Sequence, residues 1–309
     1  MTPRHIFVLS VLAANVPRRL GVLSALLSAA TSSACGGSET PFTAPPSGPI
    51  ARTTSPAWSP DGQGIAYTYS AQTPEEREIG AHQVFIATIA TGTATFVTTG
   101  RDPDWSPDGA TLVVNRGNDL WTIEMDTGSE EQLTSFGDCV HPAWSPTTDY
   151  ILFRRQPHEL WLWDGAGRRA FDTGVRTVTA EWHPDGQTIV YSDTVERSLW
   201  KVSLVPPGDA TLLVDAQARL RYPSWSADGV RVLYFRSSQD GKPSGLWRIA
   251  TSRGGAKEAL VIENALRGEW SPDGNHLVYE LAAPAPEPLI DLWLLDLDTG
   301  QTQRLDGSG

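Results

Sequence analysis

The chain has 309 residues, a length open either to two ordinary domains or to one large β domain. Charged residues make up only 19%, Gly and Pro number 28 and 23 and are spread along the chain, and 12 Trp stand beside 2 Cys and 2 Met; this excludes a disulfide-stapled miniprotein and a wholly disordered chain. The formal net charge of -12 excludes general binding to a phosphate backbone, which needs a basic face.

Residues 1–34 read as an export signal. They carry Arg4, Arg18 and Arg19, no acid, and an apolar run from Leu20 to Ala30 that leads into small residues. The Cys35 that follows, with GGSETPFTAPPSGP after it, resembles the lipobox and flexible tether of bacterial lipoproteins. Ser32 stands where a lipobox usually has an aliphatic residue, and Ser32 with Ala34 equally suits ordinary cleavage after Ala34. Residues 35–55 are then a tether, too short for a further blade; Ile50 to Thr54 is open to use as a ring-closing outer strand, in competition with Thr302 to Leu305.

From residue 56 onward one turn recurs. PAWSPDG at Pro56 returns as PDWSPDG at Pro103, PAWSPTT at Pro142, AEWHPDG at Ala180, PSWSADG at Pro223 and GEWSPDG at Gly268. The repeated Trp58, Trp105, Trp144, Trp182, Trp225 and Trp270 are 47, 39, 38, 43 and 45 residues apart, room for about four short strands each. In the Ser-Pro-Asp-Gly form of the turn Pro presets φ, Asp suits the second position and Gly supplies the positive φ that closes a hairpin. A β-branched and aromatic run follows, such as Ile65 to Tyr67 or Leu277 to Tyr279, predicting a second strand. A Leu-Trp pair ending at Trp121, Trp161, Trp200, Trp247 or Trp293 marks a third strand, with Val84 and Phe85 in its place in the first copy. A fourth, weaker strand follows, as in Glu131 to Thr134. Eleven Trp are thus framework positions, and Trp163 lies on the same strand face as Trp161. Blade 3 has Thr147 and Thr148 in place of Asp-Gly, so its turn is expected to be longer or irregular. Cys139 reads as a small buried hydrophobe.

These repeats resemble the WD-repeat-like propeller repeats of the TolB family, whose signature is the Pro-x-Trp-Ser-Pro-Asp-Gly turn. The resemblance covers residues 56 to 305 and implies an all-β, six-bladed β-propeller with four-stranded antiparallel blades starting near residues 56, 103, 142, 180, 223 and 268, in a domain spanning 56–309. TolB-type propellers bind protein segments, which implies a non-catalytic, exported protein, periplasmic or anchored by lipid, that takes a protein or peptide partner in the cell envelope as a monomer. TolB proteins normally have an α/β domain ahead of the propeller, and only the tether precedes blade 1 here, so the partners of that system are not expected to carry over.

The same repeat also forms the propeller half of prolyl-oligopeptidase-type peptidases, but the sequence holds no Gly-x-Ser-x-Gly elbow. Oligogalacturonate lyases carry similar repeats and use His with a bound metal. The six His here, at 5, 82, 141, 158, 183 and 276, fall at no common blade position, so a metal-dependent lyase is the alternative reading, with a glycan or solute sensor beside it.

Packing explains the framework, so function is sought where the repeats disagree. Three residues before each repeated Trp stand Ser55, Asp102, His141, Thr179, Tyr222 and Arg267, with Arg101 and Arg221 one place earlier. Under the resemblance this position opens each inner strand at the channel mouth, and the partner-binding residues expected there are Arg101, Asp102, His141, Tyr222 and Arg267. One place before each Trp, acids alternate with small residues, giving Asp104, Glu181 and Glu269 in blades 2, 4 and 6. They are expected either to form an acidic collar for a structural divalent cation or to bond backbone amides of neighbouring blades. No other cofactor is expected.

Overall fold

A computed structural model describes residues 53–70, 81–165, 169–204, 207–239, 241–251, 258–282 and 290–305; the signal, Cys35 and the tether up to residue 52 lie outside these. The described chain forms six four-stranded antiparallel sheets, each built from consecutive strands. Blade 1 is β1 (Thr53–Trp58), β2 (Gly64–Ser70), β3 (His82–Thr88) and β4 (Ala94–Thr99), and blade 2 is β5 (Arg101–Trp105), β6 (Thr111–Arg116), β7 (Asp119–Glu124) and β8 (Glu130–Gln132). Blade 3 is β9 (Cys139–Trp144), β10 (Tyr150–Arg155), β11 (Glu159–Asp164) and β12 (Arg169–Arg176), and blade 4 is β13 (Ala180–Trp182), β14 (Thr188–Ser192), β15 (Ser198–Ser203) and β16 (Thr211–Asp215). Blade 5 is β17 (Leu220–Trp225), β18 (Arg231–Arg236), β19 (Gly245–Ala250) and β20 (Ala259–Glu263), and blade 6 is β21 (Ala265–Trp270), β22 (His276–Ala282), β23 (Ile290–Asp296) and β24 (Thr302–Arg304). The architecture is the six-bladed propeller that the repeats predict.

The repeated turn owes its geometry to one short network. Ser59 Oγ donates to Asp61 Oδ1 at 2.6 Å and accepts from the Gly64 amide at 2.9 Å, while the Gln63 amide donates to the same carboxylate oxygen at 2.9 Å. Ser106–Asp108, Ser226–Asp228 and Ser271–Asp273 repeat it. The serine hydrogen bond, ahead of the backbone one, holds Asp61, Asp108, Asp228 and Asp273 below the usual carboxylate range. Gly62, Gly109, Gly186, Gly229 and Gly274 all have φ between 66° and 74°, a conformation strained for a side chain. Blade 3 keeps the hairpin length, with the Ser145 amide bonded to Tyr150 O just as Ser59 is to Gly64 O. Lacking the Asp, it has Ser145 Oγ accept the Thr147 amide at 3.4 Å, an irregular version of the same turn.

The core lies in the slots between blades. Trp182 packs with Leu152, Leu160 and Leu162 of blade 3, and Tyr67 and Phe85 of blade 1 pack with Val278 and Leu292 of blade 6. Trp163 is buried in the slot where blades 2 and 3 meet, beside the free, buried Cys139, whose thiol burial pushes up to about 11. Thr302–Arg304 is the outer strand of blade 6, whereas Thr53 and Thr54 belong to the inner strand of blade 1, so of the two closures the C-terminal one supplies blade 6. The ring closes by packing β1 on β21, β22 and β23, with the Ser55 amide donating to Glu280 Oε1 at 2.8 Å.

Candidate functional site: the central channel

The inner strands share an irregularity that the repeat pattern does not announce. Pairing with the second strand slips by one residue between Thr54 and Ala57, Arg101 and Asp104, Val140 and Ala143, and Arg221 and Ser224. Within each slip sits a non-glycine residue in the left-handed region: Ser55 (φ 54°), Asp102 (51°), His141 (53°) and Tyr222 (50°). All four precede proline, whose ring disfavours the right-handed helical region for the residue before it, and the bulge holds each of them left-handed. Thr179 and Arg267, followed by Ala180 and Gly268, do not share this conformation. Conformations of this kind cost about 1–3 kcal/mol each and persist only where their surroundings hold them.

The surroundings here are polar and reach from blade to blade. The Asp102 amide donates to Thr68 Oγ1 at 2.9 Å, the Ser55 amide to Glu280, and the Tyr222 amide to Thr179 Oγ1 at 3.2 Å. In each case the amide that the bulge frees is satisfied by a side chain of the preceding blade. Ser55 Oγ donates to Asp102 Oδ1 at 2.7 Å, and His141 Nδ1 lies 3.4 Å from Asp102 Oδ2. The chain therefore runs hydroxyl, carboxylate, imidazole. With the carboxylate in the middle, no base sits on the serine oxygen, and the geometry is not that of a nucleophilic triad.

Asp102, His141, Tyr222 and Arg267 face a common inner cavity of about 50 Å³, together with Thr179, Glu181 and Glu269. They are half-buried along the channel wall rather than forming a solvated rim. Arg101 is not among them: its guanidinium is spent within blade 2, on Asn115 Oδ1 at 3.2 Å and Asn118 Oδ1 at 2.9 Å. Arg221 is likewise paired with Glu196. Burial alone would raise the Asp102 carboxyl, but the charge of His141, the Ser55 hydrogen bond, Arg267 and Arg101 bring it below its ordinary value. Burial outweighs Asp102 at His141 and lowers its pKa, with Arg267, Arg154 and Arg101 pushing the same way.

Toward the repeated turns the channel widens into a funnel of about 350 Å³. Its wall is made by the six inner-strand tryptophans and by Pro60, Pro107, Pro146, Pro184 and Pro272 of the turns; Asp104 lines this space, and Glu181, Arg267 and Glu269 line both it and the inner cavity. Asp104 Oδ2 accepts the amide of Trp144 in the next blade at 2.6 Å, Glu181 Oε1 accepts that of Trp182 at 3.0 Å, and Glu269 Oε1 pairs with Arg267 Nη2 at 3.0 Å. Burial and the neighbouring Glu269 push Asp104 up to about 7. Burial, then Asp104 and Glu269, raise Glu181 well above its ordinary value, and burial raises Glu269 against the pull of Arg267. Arg267 stays firmly protonated, since Glu269, Glu280 and Asp102 outweigh its burial. The three acids thus sense one another across the channel as well as bonding backbone amides or Arg267. Among the described residues no group of three or more His, Cys, Asp or Glu side chains is arranged to hold a metal ion.

Two channel residues escaped the sequence reading. Glu280 pairs in register with Arg267, and Arg154 lies close enough to Asp102 and His141 to act on both. Each stands three places after the residue that faces the repeated Trp, where the other blades have Thr68, Asn115, Ser192 and Phe235. A polar residue in an otherwise apolar second strand, recurring at one register position, is the signal that would have found them.

The fold and channel define a β-propeller of repeated Trp turns. The chain matches the TolB beta propeller domain over residues 50–265, and it belongs to that family. It is similar to the uncharacterized protein Atu1656 of Agrobacterium fabrum (strain C58 / ATCC 33970), 26% identical over 223 residues that cover 66% of this chain and 74% of that protein. Among solved structures, TolB from Acinetobacter baumannii superposes with a TM-score of 0.65 at 18% identity, covering 79% of this chain and 63% of that one, so the match spans under two thirds of that protein. An oligogalacturonate lyase in complex with manganese superposes with a TM-score of 0.55 at 15% identity, covering 80% of this chain and 75% of that one. At these identities the likenesses show the fold.

Proposed function

We propose that this protein is a non-catalytic, exported propeller that binds a protein or peptide partner at the cell envelope through its central channel, and that Cys35 tethers it to the membrane. The observation that carries the reading is the concentration of blade-specific polar residues, Asp102, His141, Tyr222 and Arg267, around one cavity of an otherwise repetitive fold. Left-handed backbone at three of these four, held by bonds from neighbouring blades, supports a preorganised contact surface. The basic, acid-free leader and the Cys35 context support export and lipidation. A metal-dependent lyase draws support from fold likeness alone, since among the described residues His141 has Asp102 beside it and no further histidine lines the channel.

The test is capture of envelope partners by the mature protein and by a Tyr222→Ala, His141→Ala double variant. Loss of a specific partner from the variant supports the channel reading, and an unchanged partner set sinks it. Mass spectrometry of the mature N-terminus tests the tether: a lipid-modified Cys35 is expected, and an unmodified N-terminus at Cys35 contradicts it.

A further inference from the structure

The channel is electrically unbalanced at its funnel end. Asp104, Glu181 and Glu269 line the funnel, and Arg267 is the one cation among its lining residues. That guanidinium is already held by Glu269, and Glu280 and Asp102 act on it as well. Glu181 accepts the Trp182 amide and Asp104 the amides of Trp144 and Trp105; Arg267 acts on both through its charge, but its ion pair is with Glu269. Three carboxyl groups therefore share one guanidinium, and ionising Asp104 and Glu181 beside Glu269 is costly, so their protons are held until a further cation arrives.

The shape says what can arrive. A space of about 350 Å³ admits one or two side chains and not a folded domain. Its wall of indole and pyrrolidine rings suits the methylene stem of a long basic residue, which buries its stem and delivers its charge beyond it. The net charge of -12 further favours the approach of a basic partner.

We infer that the funnel on the turn face receives a single lysine or arginine side chain from an extended partner segment, its stem against the Trp-Pro wall and its charge on Glu181 and Asp104. The inference rests on the partner-binding reading above and adds the face of the ring and the chemistry of the anchor.

The test uses the intrinsic tryptophan fluorescence of the full mature chain, titrated with the capped tripeptide acetyl-Ala-Lys-Ala-amide and with its norleucine counterpart. The lysine peptide is expected to bind about ten-fold or more tightly than the norleucine peptide. Glu181→Gln should remove that preference while leaving the norleucine titration unchanged, and Asp104→Asn should reduce it. The preference should shrink at about pH 5, where the carboxyl groups hold their protons. Equal binding of the two peptides, a preference that survives Glu181→Gln, or calcium ions alone binding with the same dependence on Glu181 would each overturn the inference. If the tripeptide result is negative while Tyr222→Ala, His141→Ala still abolishes partner capture, the funnel inference falls and the channel reading stands.

Discussion

The acids of the repeated turns are matched locally, whereas the acids of the channel wall just before those turns are not. At the turn end, Asp61, Asp108, Asp228 and Asp273 are exposed, bonded by their own serine and backbone, and ionise more readily than usual. In the channel, Asp104, Glu181 and Glu269 are half-buried and Glu280 is buried, and all four ionise less readily. Acidic residues thus support the fold in the turn and strain it in the channel, with Asp104 and Glu269 only a few residues ahead of Asp108 and Asp273 in the chain. Side chains that a fold needs are repeated because every blade has the same packing problem; side chains kept against the interests of stability differ from blade to blade.

The comparison can be broken most forcefully at Arg267. Replacing it by Leu leaves Glu269, Glu280 and Asp102 facing one another without their cation, and a loss of about 3–5 kcal/mol in denaturant unfolding is expected. A loss under about 1 kcal/mol would mean that the channel relaxes or wets more than its geometry indicates. Trp225→Ala removes a buried ring from the core slot between blades 4 and 5 and should cost a comparable 3–5 kcal/mol or so, with no dependence on pH.

Asp104→Asn should act in the opposite sense. The folded carboxyl holds its proton up to about pH 7, whereas the unfolded one releases it near 3.8. Its contribution to stability is therefore complete below about 3.8 and is lost as pH rises through about 7, so the parent protein weakens over that window. The amide variant keeps an oxygen for the Trp144 amide and carries no charge, so its unfolding temperature should exceed the parent's at about pH 8 and meet it at about pH 4. The smallest effect belongs to the turn: Ser271→Ala removes the hydroxyl that donates to Asp273 and accepts the His276 amide, and should cost on the order of 1 kcal/mol.

Nearly all of the architecture could be read from the chain, because a Trp and a Pro-Asp-Gly turn recur wherever a blade must pack on its neighbour. The closing strand could not: Thr53 and Thr54 have the composition of either an inner or an outer strand, and only the packing of β1 on blade 6 decides. The positions of the channel were legible as places of disagreement between repeats, yet their conformation was not. Ser55, Asp102, His141 and Tyr222 could be placed at the openings of strands, whereas the register slips that hold them left-handed along the channel wall have no mark in the repeat. Arg101 looked like a partner for the channel because adjacency in sequence hides the fact that a bulge sends it to Asn115 and Asn118 instead. Glu280 was invisible because it belongs to the second strand, where the reading sought core residues.

The central claim is that the channel carboxyl groups are kept at a cost to the fold, and Glu181 tests it most directly. Thermal unfolding of the parent and of Glu181→Gln should be compared at about pH 5 and about pH 8. Burial and the neighbouring acids raise the folded Glu181 well above 4.5, so its ionisation penalty grows as pH rises past that value. The account predicts that the variant unfolds at a higher temperature than the parent at about pH 8 and that the gap narrows at about pH 5. A variant that unfolds earlier than the parent at about pH 8 would show that the carboxylate holds the ring together, and would contradict the account.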